Sequence, residues 1–143
     1  MFPFIYTFKI KITADRTLKN VIDAASDSFL EREMNNIEIK GNTIIGKDSL
    51  VKLDFSNRYP LTLAPGKEYF TYDESKKVLT YKVEVLFNLI YAFALFLILY
   101  FFAHQWIIEF IIPSLFFILI TFITYFQYQS VINKVSRNLN KEP

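Results

Sequence analysis

The feature that most constrains this chain is a long stretch without charge. No Asp, Glu, Lys or Arg occurs in Val85–Ile108, and the 19 residues of Val85–Ala103 include Asn88 as their only strongly polar member. A helix of that length covers about 28 Å, close to the roughly 30 Å hydrocarbon core of a bilayer. A second run, Phe110–Tyr128, also has 19 residues without charge. The sequence therefore predicts two membrane-spanning helices.

We place these spans at about residues 85–103 and 107–128, with a turn at His104 between them. So short a turn makes the two helices antiparallel neighbours. Lys and Arg flank the pair on both outer sides and are missing from the turn, and cytoplasmic loops carry an excess of these residues. We expect a two-helix transmembrane hairpin over residues 85–130, in the inner (plasma) membrane of a bacterium, with both termini cytoplasmic.

Residues 1–84 show the patterns of a small α+β domain. Apolar residues alternate with polar ones in Phe2–Thr13, which is typical of a half-buried strand. Helical spacing of apolar residues follows in Leu18–Leu30, and period-two segments with turn residues then predict five or six more strands. We expect an antiparallel curved sheet with one helix packed on its apolar face. Residues 131–143 are expected to form a polar cytoplasmic tail.

Composition excludes several kinds of chemistry. The chain has no cysteine, its only histidine is His104, and its three glycines are scattered. The domain therefore lacks a histidine base for a Ser or Thr nucleophile and a glycine-rich phosphate loop. Glu38 and Lys40 match two residues of a nuclease metal site, but an alternating strand is the simpler interpretation. We predict no enzyme, no catalytic or metal site, no cofactor and, at a net charge of +2, no duplex nucleic acid as partner.

Lysines form the candidate ligand site. Four of them lie on the polar faces of predicted strands: Lys9, Lys11, Lys52 and Lys82. If those strands are neighbours, the four ammonium groups share one surface and could bind an anion such as a nucleotide phosphate or a lipid headgroup. The alternative is a solvated face of mixed charge, because Asp54 and Glu84 lie on the same faces and could pair with the lysines.

Polar side chains also occur in the two predicted spans. Hydroxyl and amide residues fall on one face of the second span or near the cytoplasmic ends of both: Asn88, Ser114, Thr121, Thr124, Gln127 and Tyr128. Such residues either line a pore in a homo-oligomer or mediate packing between helices within the bilayer. Both interpretations stay open at the level of sequence.

The predicted last strand continues into the first span without a Gly, Ser or Pro linker, so a rearrangement of the domain should reach the membrane. By this layout the chain resembles the two-transmembrane effectors of bacterial anti-phage signalling systems, such as cyclic-oligonucleotide-activated defence operons. The resemblance covers domain size and span number, with the spans after the domain, whereas many such effectors place them before it. It implies a domain that senses a nucleotide and a hairpin that oligomerises into a pore or disrupts the bilayer. The alternative class is a membrane-anchored scaffold or accessory subunit that recruits a cytoplasmic partner through a sheet edge.

Overall fold

The computed structural model describes residues 4–32, 34, 36–47, 51–53, 61–63, 67–102 and 105–141, with the backbone alone for residues 51–53 and 61–63. The chain has an α+β fold, as the sequence predicts. In chain order the elements are β1 (Ile5–Lys11), α1 (Leu18–Glu31), β2 (Asn36–Lys40), β3 (Thr43–Lys47), β4 (Val51–Leu53), β5 (Leu61–Leu63), β6 (Lys67–Asp73), β7 (Val78–Glu84), α2 (Phe87–Phe102) and α3 (Trp106–Asn140).

Five strands form one antiparallel sheet in the order β1-β7-β6-β3-β2, and β4 pairs with β5 in a separate two-stranded sheet. Phe8 faces Tyr81 across β1 and β7, Tyr81 faces Phe70 on β6, and Phe70 faces Ile44 on β3. Directly opposed residues share a face of the sheet, and all four are buried. This row therefore forms the centre of the apolar face.

α1 packs on the apolar face. Its first turn is capped by Thr17, whose hydroxyl oxygen accepts a hydrogen bond from the backbone N–H of Asn20 at 3.4 Å. Val21, Ala25 and Phe29 recur every four residues along one side of the helix and are fully buried. The helical spacing in the sequence therefore identifies both the element and its buried side.

α3 differs from the expectation. It continues without a break to Asn140, where we expected residues 131–143 to form a polar tail. Its last part is amphipathic, and Ile132, Val135 and Leu139 are buried in the same core as α1 and the sheet. Two helices, and not one, therefore cover the apolar face. Core packing explains the difference, because apolar residues at helical spacing bury their side chains even when the positions between them are polar.

α2 lies against the first part of α3. Asn88 at the start of α2 contacts Thr124, and Phe96 contacts Phe110, so the two helices run antiparallel. α3 is long and apolar enough to cross a membrane, and only 22% of its most apolar stretch is buried. α2 is also apolar but, with 16 residues, is shorter than a helix that spans a membrane. Among the described helices one therefore reaches the length of a membrane span, where we expected two.

Candidate functional site

The open face of the sheet, opposite the two helices, carries the predicted lysines of β1 and β7. Lys9 is in register with Thr80, and Lys82 is in register with Thr7. Lys9 and Lys82 therefore lie on one face of neighbouring strands, and Lys11 lies two residues beyond Lys9 on that face. All three side chains are exposed. The structure brings together three of the four lysines of the candidate ligand site.

The fourth lysine, Lys52, does not lie in this sheet. It is on β4, whose described partner is β5. The condition for four lysines on one surface, that their strands are neighbours, is therefore not met for Lys52. Its side chain lies outside the described residues.

The open face carries further charges that the candidate site did not include. The registers place three more lysines there, which are Lys40, Lys47 and Lys67. They also place three carboxylates there, which are Glu38, Asp73 and Glu84. Among the described residues, six lysines thus oppose three carboxylates, so the face as a whole is positive. Alternation along each strand predicts these positions, but only the strand order brings them together.

At the β2 edge one carboxylate pairs with two lysines. The Glu38 carboxylate accepts a hydrogen bond from the Lys47 ammonium at 2.6 Å and lies 3.0 Å from the Lys40 ammonium. The hydrogen bonds from these two lysines, that from Lys47 first, lower the pKa of Glu38 below its ordinary value. Glu38 and Lys40 are thus an exposed ion pair on a strand. The described residues contain no group of three or more His, Asp or Glu side chains that could hold a metal ion.

The β1 edge of the open face keeps its positive charge. Tyr69 donates its hydroxyl hydrogen bond to Glu84 at 2.9 Å, and the Lys82 ammonium lies 5.6 Å from the centre of the Tyr69 ring. Burial, and then Glu84, raise the pKa of Tyr69. Within the described part of the chain, Lys9 and Lys11 make no ion pair. At this edge of the face, Lys9, Lys11 and Lys82 are therefore the cations that an anionic ligand could contact.

A polar cluster lies where the sheet meets the two apolar helices. The Tyr6 hydroxyl on β1 donates to the backbone carbonyl of Thr121 at 2.9 Å and lies 3.1 Å from the Thr124 hydroxyl. Asn88 donates to the same Thr124 hydroxyl at 3.0 Å. We call Tyr6, Asn88, Thr121 and Thr124 the junction cluster. Among the six polar residues predicted to line a pore or pack helices, Asn88 and Thr124 thus bond to each other through their side chains, and Thr121 bonds to Tyr6 through its backbone carbonyl.

The other three predicted residues have different environments. Ser114 is exposed, and its hydroxyl donates to the carbonyl of Phe110 at 2.7 Å. Gln127 is exposed, whereas Tyr128 is buried in the core of the domain, where its ring contacts those of Tyr6 and Tyr81. Of the four residues predicted on one face of the second span, Thr121, Thr124 and Tyr128 are therefore buried, whereas Ser114 is exposed.

The C-terminal end of α3 is held by the segment between β1 and α1. Arg16 donates to the carbonyls of Leu139 and Lys141 at 2.9 and 2.5 Å. The Asn140 side chain accepts from the backbone N–H of Thr13 at 2.9 Å. An arginine at this position satisfies terminal carbonyls and interacts favourably with the negative end of the helix dipole. α3 is thus anchored in the domain at its end and, through Tyr6, near its middle.

A buried ion pair connects α1 to the sheet. Glu68 on β6 is 1% exposed and lies 2.7 Å from the guanidinium of Arg32, which follows α1. The Tyr81 hydroxyl donates to the same carboxylate, and burial, followed by Glu68, raises the pKa of Tyr81. The sequence did not predict this pair. The available signal was that Glu68 occupies an inward position of an alternating strand.

Through these contacts the domain holds the C-terminal part of α3, a long helix whose first part is apolar. No protein-family model matches this chain, and no curated protein or solved structure matches it either.

Proposed function

We propose that this chain is an integral membrane protein in which α2 and the first part of α3 lie in the bilayer. The observation that carries the proposal is the exposed apolar surface. Apart from Phe4, Leu30 and Ile39, the exposed large apolar side chains of the described residues all lie on these helices or at Leu86 beside them. Soluble monomers rarely expose contiguous apolar patches above a few hundred Å². Lipid is the environment in which such a surface is stable.

The proposed topology is a hairpin of two spans, at about residues 85–103 and 107–128. Exposed apolar side chains on α3 extend from Trp106 to Phe126, which is about 30 Å along a helix and equals the thickness of a hydrocarbon core. Both helices return to the same domain, so both chain ends lie on one side. The lysines and arginines of the domain favour the cytoplasm of a bacterium as that side.

We further propose that the domain senses an anionic ligand or partner and that the hairpin responds by assembling with other copies. The continuity of α3 supports this, because one helix belongs both to the core of the domain and to the apolar hairpin. A shift of the domain therefore moves the membrane segment directly. The layout resemblance makes cyclic oligonucleotides the first ligands to test, and the β1 edge of the open face is the proposed site. Anti-phage defence is the corresponding biological context.

The described conformation fits a resting state. The junction cluster turns the polar groups of Asn88, Thr121 and Thr124 towards Tyr6 and away from lipid and other copies. Two of its buried atoms, Asn88 Oδ1 and Thr121 Oγ1, have no hydrogen-bond partner among the described residues. An unsatisfied buried polar group costs about 1–3 kcal/mol. A pore or a disrupted bilayer would follow from opening this cluster, which would let these groups find new partners.

The test combines ligand binding with membrane leakage. Purified protein in lipid vesicles is titrated with cyclic oligonucleotides, and dye release and oligomeric state are measured together. We expect ligand-dependent release and a larger oligomer. The triple variant Lys9→Gln, Lys11→Gln, Lys82→Gln should lose most of the affinity. The matched variant Lys19→Gln, Lys76→Gln, Lys141→Gln removes the same charge outside the open face and should retain it. Equal affinity of the two variants would refute the site.

A second candidate is a non-enzymatic membrane-anchored scaffold or accessory subunit. It is favoured by β2, an edge strand of the sheet whose Ile39 side chain is 55% exposed. An exposed edge can add a strand from a partner. In that case the protein would stay a monomer in detergent, no ligand would release dye, and substitutions on β2 would abolish recruitment of the partner.

A further inference from the structure

A groove runs along the side of α3 that faces away from the sheet. It has a volume of about 470 Å³ and is lined by Phe126, Gln129, Ser130, Asn133, Lys134 and Arg137. Its lining changes from apolar to polar within one helical turn, because Phe126 is exposed and the lining residues after it are polar. The groove therefore begins at the level where the apolar surface of α3 ends.

The groove continues the surface that we place in lipid. Phe122, Phe126, Asn133 and Arg137 follow steps of four, seven and four residues, so they lie on one side of the helix. The first two are exposed apolar residues, and the last two are exposed polar residues. A lipid molecule against this side would meet apolar side chains along its acyl chains and polar side chains at its headgroup.

The cations of the groove are within reach of that headgroup. Arg137 lies eleven residues beyond Phe126, which is about 16 Å along the helix axis. Side chains of a helix lean towards its N-terminus, here towards the membrane, and long basic side chains extend their charge to the interface. The guanidinium of Arg137 can therefore approach the level of the phosphates.

Arg137 is the cation that remains for a ligand. Lys134 is held 2.6 Å from Glu31 of α1, so much of its charge is already balanced. No side-chain partner of Arg137 occurs among the described residues. Next to it in the groove, Ser130 and Asn133 add a hydroxyl and an amide that can donate hydrogen bonds. Arginine matches the oxygens of a phosphate group with two parallel hydrogen bonds.

We infer that this groove binds the headgroup of an anionic phospholipid. Arg137 contacts the phosphate oxygens, Ser130 and Asn133 donate to the headgroup, and Phe126 packs on the acyl chains. The inference rests on the proposed membrane insertion and adds a lipid preference to it. A bound anionic lipid would fix the depth of α3 and therefore the position of the junction cluster relative to the bilayer.

The experiment measures thermal unfolding of the full chain in detergent with added phosphatidylglycerol, with phosphatidylcholine, or with soluble glycerol phosphate. We expect phosphatidylglycerol to raise the Tm by about 3 °C more than phosphatidylcholine does, because a ligand that binds the folded state stabilises it. Glycerol phosphate alone should have no effect. Arg137→Gln should remove the difference between the two lipids, and the charge-matched Lys19→Gln should keep it.

Two results would overturn the inference. One is a difference in Tm between the two lipids that is as large in Arg137→Gln as in the wild type. The other is a Tm shift from glycerol phosphate equal to that from phosphatidylglycerol, which would indicate a site for a soluble anion. Membrane insertion is tested separately, by alkaline carbonate extraction of membranes that contain the wild type. Protein that stays in the membrane without lipid preference refutes the lipid site alone. Protein that is extracted refutes the proposed insertion itself.

Discussion

The hydroxyl oxygens of Tyr6 and Thr124 lie 3.1 Å apart, although 118 residues separate them in the chain. Tyr6 is on β1, one of the two edge strands of the five-stranded sheet, and Thr124 lies in the middle of α3. Asn88 at the start of α2 donates to the same Thr124 hydroxyl. One buried cluster therefore holds the sheet and both apolar helices together at the point where the domain meets the proposed membrane surface.

Removing the hydroxyl of Tyr6 should loosen this junction. Tyr6→Phe loses the bond to the Thr121 carbonyl and the contact with Thr124. Each such bond contributes about 1 kcal/mol net, so we expect a loss of roughly 1–2 kcal/mol in the free energy of unfolding. In vesicles the same variant should release dye at lower ligand concentration, because the resting state is weakened. Thermal unfolding and leakage measure the two effects.

Tyr100→Phe is the matched control, since Tyr100 is an exposed residue of α2 outside the junction cluster. It should change neither quantity. A Tyr6→Phe variant that is as stable as the Tyr100→Phe variant would show that the junction cluster does not hold the helices to the sheet.

The buried pair of Arg32 and Glu68 should matter for stability more than for ligand binding. Arg32→Ala leaves the Glu68 carboxylate, which is 1% exposed, without its cation. Breaking a buried pair in this way costs roughly 3–5 kcal/mol, and we expect about 3 kcal/mol because the Arg32 side chain is 27% exposed. Denaturant unfolding measures the loss.

The double change Arg32→Met with Glu68→Leu removes both charges and should recover most of that stability. If Arg32→Ala costs no more than Lys19→Ala, the ion pair does not stabilise the fold. If the double variant is less stable than Arg32→Ala, the ion pair stabilises the fold by more than an unpaired Glu68 carboxylate destabilises it.

The fold should lose stability at alkaline pH through Tyr81. Burial, then Glu68, raise the pKa of Tyr81 above its ordinary value of 10. A group whose pKa is raised in the folded state contributes stability that is fully present below its unfolded pKa and is lost as the pH rises towards its folded pKa. The free energy of unfolding should therefore decline above about pH 10. Denaturant titrations at a series of pH values check this.

Tyr81→Phe has no proton to lose at this position, so its stability should decline less steeply over the same pH range. Comparison with the wild type isolates Tyr81 from the lysines, which titrate in both proteins. Parallel pH profiles of the two proteins would mean that Tyr81 does not couple ionisation to folding.

Much of the fold can be predicted from local patterns. Alternation identifies the inward residues of β1 and β7, such as Phe8 and Tyr81, and helical spacing identifies Val21, Ala25 and Phe29 on α1. These patterns work because each element buries one side against a shared core. The apolar stretch that starts at Val85 is equally clear in the sequence.

Strand order and long-range packing were not predictable. Lys52 and Lys9 both lie on polar strand faces, but a period of two does not reveal which strands are neighbours. The extension of α3 was missed because Asn133, Lys134 and Arg137 make the segment look polar. Ile132, Val135 and Leu139 do repeat at helical spacing, but their partner surface exists only once the sheet has formed.

In the proposed topology, α2 and the first part of α3 cross the membrane and return both ends to the cytoplasm. The chain has no cysteine, so single cysteines at positions 76, 105 and 138 can be labelled in intact cells by a membrane-impermeant thiol reagent. We expect Gln105→Cys to be labelled from outside, and Lys76→Cys and Asn138→Cys to be labelled only after lysis. Labelling of all three from the same side would contradict this topology.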